Sequence, residues 1–214
     1  MREAFNGRFT GSWPSVAMIA GGSLNIALWP IYTSVHGPTS FDRGGEVLGM
    51  GTLFWGSMME GPAGLLIALG LAGSYSRLTG EGGRMARVGF VLAMIGVVIP
   101  ALVNLALVAL MPPLLTPVFG AGLILIALAN RRISSITRFS RLVLWGLATV
   151  LIFNFLWTAA VRPNVIDQIY GYRIQGAVVD VLFGVGWILL GVSLVSRGRI
   201  TVTGNSAAAV APSS

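Results

Sequence analysis

The chain contains no lysine and no cysteine, a single histidine, and only seven acidic residues among 214. Each scarcity removes a chemistry. All fourteen basic residues are arginine, so neither a Schiff-base lysine nor a phosphate-loop lysine exists. Without cysteine there is no disulfide, no thiolate nucleophile, no iron–sulfur ligation and no lipidated thiol. One histidine, His36, excludes a bis-histidine haem and a His-cluster zinc site. Charged residues make up 10% of the chain, against about 25% in a soluble domain. What fills the space is apolar: 55% of the residues, with a mean hydropathy of +0.82. This balance argues for a polytopic membrane protein, and against a soluble domain, a disordered chain or a nucleic-acid binder. The net charge of +7 fits that reading, because the arginines sit between apolar runs, where they set topology.

Six apolar stretches stand out, at roughly 14–35, 47–73, 86–111, 114–130, 142–161 and 174–196. A helical span needs about 20 residues. The second stretch is long enough to tilt, and the fourth is short. The pair Pro112-Pro113 separates the third from the fourth, since neither proline carries an amide donor. The first stretch is longer than the apolar core of a signal peptide and is interrupted by Asn25 and Pro30, so a retained helix is expected. The fold class expected is therefore an all-α integral membrane protein, a six-transmembrane-helix bundle. Residues 1–200 form its single domain, and the small polar residues 201–214 read as a disordered tail.

The arginines orient it. With the N-terminus in the cytoplasm, eleven arginines fall inside: Arg2, Arg8, Arg77, Arg84, Arg87, Arg131, Arg132, Arg138, Arg141, Arg197 and Arg199. Three fall outside: Arg43, Arg162 and Arg173. The positive-inside rule then places both termini in the cytoplasm, with the chain spanning a cell membrane, the bacterial inner membrane.

Every stretch but the fourth carries a polar residue at depth: Asn25, Glu60, Asn104, Asn154 and Asp180. A carboxylate at the bilayer centre costs about 2.5–3.5 kcal/mol on insertion scales, so it must face a partner, water or the bundle interior, or be protonated. Glu60 sits beside Pro62 on a stripe of small residues, Gly56, Ser57, Ala63 and Gly64, that admits close helix approach. Two readings stay open for Glu60: an ion or proton site, or a hydrogen-bonded link between helices. The same two apply to Asp180, seven residues after Arg173, which stands at the edge of a vestibule or snorkels to the interface. Each asparagine alone reads as helix glue. Together with the two acids the asparagines line a path for a proton, an ion or a substrate if they converge. His36, with Asp42 and Glu46, reads as a solvated turn rather than a metal site, and neither a metal nor a cofactor is expected.

The loop arginines Arg131, Arg132, Arg138 and Arg141 suit anionic lipid head groups as well as topology. Glycine-rich faces on the second and sixth stretches suit packing, a homo-oligomer or a membrane-protein partner. No nucleophile constellation is present, so an enzyme is the least favoured class. A small transporter or proton-coupled carrier with a mid-membrane acid is the leading reading. Its alternative is a non-catalytic membrane subunit or scaffold of a larger complex.

Overall fold

The computed structural model describes residues 13–35, 45–80, 82–108, 113–131, 136–160 and 170–207. It consists of α1 (Trp13–Val35), α2 (Thr52–Gly73), α3 (Tyr75–Thr79), α4 (Gly83–Leu107), α5 (Thr116–Ala129), α6 (Arg138–Ala160) and α7 (Tyr170–Ala207). A single 3-10 turn, Pro113–Leu115, precedes α5, and there is no strand among the described residues. Four segments are long and apolar enough to cross a bilayer: Trp13–Val35, Gly83–Leu107, Arg138–Trp157 and Val178–Val195. With the composition, they make the chain a helical membrane protein. α2 has the length, but Glu60, Pro62 and its glycines dilute its apolar character. α5, with 14 residues, is about 21 Å long, short of the roughly 30 Å hydrocarbon core.

The six long helices close into a ring. α1 packs on α2, α2 on α4, α4 on α5, α5 on α6, α6 on α7, and α7 returns to α1. Glycines set the crossings. A methyl group on Gly184 would meet the Gly22 carbonyl at 2.7 Å, and one on Gly89 would meet the Gly122 carbonyl at 2.7 Å. Such small-residue contacts let backbones touch where apolar lipid provides no hydrophobic drive for association. The contacts also fix direction. Gly21 lies against Ala63 and Ile67 while Gly70 lies against Pro14 and Met18, so α1 and α2 are antiparallel. Gly22 against Gly184 and Gly191 against Ser15 make α1 and α7 antiparallel as well.

The interior is filled at mid-depth and below. Phe119 of α5 stacks on Trp187 of α7, with centroids 5.8 Å apart and planes 17° off parallel. These helices are not ring neighbours, so the pair crosses the interior. Phe183 packs edge-on to both. Met18, Ile67, Leu71, Leu123, Leu144 and Leu190 are fully buried around them. Across the arginine-bearing end runs α3, which the sequence reading did not anticipate. Arg77 Nη1 donates to the Leu194 carbonyl at 3.0 Å, and Asn130 Nδ2 to the Leu78 carbonyl at 2.9 Å, tying α3 to α7 and α5. Leu78 is fully buried, and α3 forms a floor beneath the apolar plug.

Several boundaries differ from those read in the sequence. α2 starts at Thr52, because Val47–Met50 folds into a tight turn with reciprocal backbone hydrogen bonds of 3.0 Å. Leu48 and Gly49 there have φ of 55° and 72°, the pattern of a type I′ turn, which ends helical continuity. Trp55 Nε1 caps the Val47 carbonyl at 3.1 Å, and Thr52 Oγ1 donates to the Val35 carbonyl at 2.6 Å, clamping α1 to α2. α4 begins at Gly83 and stops at Leu107, and α6 starts at Arg138. α7 runs on to Ala207, into the segment expected to be disordered, while residues 208–214 lie outside the described residues.

α4 stops because Val108 takes a left-handed conformation, φ 46° and ψ 48°, and donates its N–H to the Asn104 carbonyl. A β-branched residue is strained there, by roughly 1–2 kcal/mol. Val108→Gly is therefore expected to raise the thermal midpoint in detergent, whereas Val108→Ile leaves it unchanged or lower. A lower midpoint for the glycine variant would count against this cap.

Candidate functional site

The glycine contacts define one level across four helices. Gly22 meets Gly184, Gly21 meets Ala63, and Gly64 meets Ala101. Asn25, Glu60, Asn104 and Asp180 each lie three or four residues from that level, all in the direction away from α3. The four occupy one layer, about 5 Å above the crossings.

Helical phase turns them inward. Gly21 faces α2 and Gly22 faces α7, so Asn25, four residues after Gly21, lies between those neighbours and points to the interior. Glu60 precedes Gly64, which faces α4, by four residues, and Ile67, which faces α1, by seven. Asn104 follows Ala101, which faces α2, by three residues. Asp180 is seven residues before Trp187, which stacks across the interior, and four before Gly184.

The contacts agree with this phase. Asn104 is fully buried and its Nδ2 donates to Glu60 Oε2 at 2.7 Å, a charge-assisted length if the acid is ionised. Glu60 and Asp180 lie within electrostatic reach of each other, although α2 and α7 are separated in the ring by α1. Both acids are only half-buried, whereas Met18, Ile67 and Trp187 beneath them are sealed. The Asp180 carboxyl leans back along α7, its Oδ2 3.9 Å from where a Gly176 methyl would stand. Asn25 is 3% exposed, and its Oδ1 has no hydrogen-bond partner among the described residues. Buried polar atoms are rarely left so; Trp187 Nε1, within the plug, is in the same position among the described residues.

Sequence reasoning missed Trp29. It follows Asn25 by four residues on the same face, and its buried Nε1 also has no partner among the described residues. The signal was present as an indole at helical spacing from an intramembrane amide.

Asn154 is half-buried on α6 and shares a face with Leu147, seven residues away, which packs on Gly186 of α7. Gly176, on the glycine-rich face of the sixth apolar stretch, meets no neighbouring helix among the described residues. His36 and the Arg173 side chain lie outside the described residues.

Above the plug α5 is the shortest wall of the ring. Gly96 of α4 abuts Phe119 of α5. From that level α4 continues to Leu107, about 16 Å, whereas α5 begins at Thr116, one turn away. Above Thr116 the 3-10 turn Pro113–Leu115 continues the chain and packs against both α4 and α6.

The layer is rich in acceptors: two carboxyl groups and an amide oxygen, with no arginine side chain facing them among the described residues. Among those residues no three histidine, aspartate or glutamate side chains come together as a metal site would require. Carboxyl and amide oxygens grouped in this way can accept a proton or bind a small cation. No family model, no curated protein and no solved structure matches the chain.

Proposed function

We propose that the chain is a small carrier for a proton or a small monovalent cation, with six spans and both termini in the cytoplasm. The observation that carries this reading is the single layer of Asn25, Glu60, Asn104 and Asp180 inside the ring, above an apolar plug. A cation entering the layer is stabilised by two carboxyl groups in a medium where charges interact far more strongly than in water. The plug and the α3 floor close the opposite side, so delivery requires them to part. Prolines within α1, α2 and α4 supply the weak points. Pro62, two residues from Glu60, removes the donor that would meet the Met58 carbonyl.

The arginines support the orientation. Arg77, Arg84, Arg87, Arg131, Arg138 and Arg141, at the inner ends of α2 to α6 or on the segments joining them, share one end of the antiparallel ring. That end is cytoplasmic by the positive-inside rule. The polar layer then opens to the outer face of a bacterial inner membrane.

Two experiments test this. Reporter fusions after Arg43, Arg84, Pro113, Arg138, Asp167 and Arg199 are expected to alternate out, in, out, in, out, in; two adjacent fusions on one side would refute the six-span topology. Proteoliposomes are expected to pass protons, Na+ or K+ down an imposed gradient faster than protein-free vesicles. Rates no faster than those of protein-free vesicles for all three cations would leave the scaffold reading in its place.

A further inference from the structure

A second site lies on the flank of the bundle, away from the polar layer. A cavity of about 420 Å³ opens where the end of α5 meets the start of α6, lined by Leu128, Arg131, Arg138, Arg141, Leu142 and Trp145. Its polar and apolar parts are segregated. Arg131 and Arg138 are exposed at the rim. Arg141 is held in place, its Nη1 donating to the carbonyls of Asn130, at 3.2 Å, and Arg131. Trp145 follows Arg141 by one turn and Arg138 by two, so the apolar wall continues from the rim toward the hydrocarbon. Leu142 is 68% exposed and Trp145 40%, so both are open to contact from outside the bundle.

Among the described residues none of the three guanidinium groups meets a carboxylate. The acids with described side chains, Glu46, Glu60 and Asp180, all lie toward the other end of the bundle. Guanidinium groups match phosphate geometry, and a cationic rim above an apolar wall matches a molecule with a phosphate at one end and acyl chains at the other. A free anion would use the rim and leave the wall exposed.

We infer that this cavity binds one anionic phospholipid of the leaflet at the arginine-bearing end, its phosphate on Arg131, Arg138 and Arg141 and an acyl chain along Leu142 and Trp145. The site is independent of what the polar layer carries.

The test uses the full chain in detergent, with thermal midpoints read against added phosphatidylglycerol, phosphatidylcholine of the same acyl chains, or inorganic phosphate. Native mass spectrometry reads the lipid retained. Phosphatidylglycerol is expected to raise the midpoint and to remain bound, with phosphatidylcholine and phosphate giving little change. Arg131→Gln with Arg138→Gln is expected to weaken phosphatidylglycerol binding roughly 30-fold. Trp145→Ala is expected to weaken it while keeping the preference for the anionic lipid. Arg84→Gln with Arg87→Gln, at the same end of the bundle but outside the cavity, is expected to leave binding unchanged. Equal effects of the two lipids, a full effect of phosphate alone, or equal losses from both arginine pairs would each overturn the assignment. The wild-type lipid comparison decides the matter even if a variant fails to fold.

Discussion

Glu60→Gln in reconstituted vesicles is expected to cut cation flux by one to two orders of magnitude while leaving the fold intact. The amide is nearly isosteric with the acid, and its oxygen still accepts from Asn104 Nδ2, now 2.7 Å from Glu60 Oε2. What disappears is the negative charge and the titratable proton. A hydrogen bond to a charged group contributes about 1.5–3 kcal/mol, which at 1.4 kcal/mol per tenfold corresponds to roughly 10- to 100-fold. Asp180→Asn is expected to act in the same direction, because both acids serve the same layer. The double variant should therefore lose less than the product of the single losses, as coupled residues do. Thr149→Ala is the control, since Thr149 is exposed on α6 and its hydroxyl donates to the Trp145 carbonyl of its own helix. Flux is read with a pH-sensitive or cation-sensitive dye, beside a thermal midpoint for each variant. Wild-type flux in Glu60→Gln, at an unchanged midpoint, would remove the acid from the pathway.

The second large effect is structural. Gly184→Leu is expected to lower the thermal midpoint by about 2–12 °C, taking about 1–3 kcal/mol for an overpacked site and roughly 2–4 °C per kcal/mol for a chain of this length. Even the first carbon added would stand 2.6 Å from Ile26 Cγ1 and 2.7 Å from the Gly22 carbonyl oxygen. The isoleucine tip can swing away, but the backbone carbonyl cannot, so α1 and α7 must separate. Because that crossing closes the ring, the strain reaches the layer above it, where Asn25 and Asp180 face one another's helices. Gly146→Leu is the matched control: it makes the same change on α6, where an added methyl meets nothing within 4 Å. Its midpoint should stay level or rise, since glycine in an exposed helix costs about 1 kcal/mol relative to alanine. Equal losses from the two variants would show that helix propensity, not the crossing, sets the effect.

The helices were legible in the sequence because apolar length and punctuation are local properties. The arginines between runs needed no knowledge of packing, whereas the end of α4 at the left-handed Val108, ahead of Pro112-Pro113, did. The start of α2 was misread because Val47, Leu48 and Met50 are apolar, and composition does not reveal that Leu48 and Gly49 take positive φ. α3 escaped because a five-residue helix leaves too short a pattern, and its role depends on distant partners, the Leu194 carbonyl and Asn130. The site was legible only as a set of candidates. Asn25, Glu60, Asn104 and Asp180 are each conspicuous as polar residues in apolar runs. That they share a layer depends on which glycine meets which helix, and at what height. Trp29 was passed over because a tryptophan in a membrane segment reads first as an apolar or interfacial side chain.

The central claim is that the interior polar layer is reached from the outer face only, above a sealed apolar plug. The absence of native cysteine makes the direct measurement simple, since any thiol introduced is the only one. Glu60→Cys, Asp180→Cys and Leu123→Cys are each exposed to a membrane-impermeant thiol reagent, first on right-side-out vesicles and then on inverted ones. The account predicts labelling of the first two variants from the outer side alone, and no labelling of Leu123→Cys from either side. Labelling at positions 60 and 180 from the cytoplasmic side, or labelling at position 123 in place of both, would contradict it.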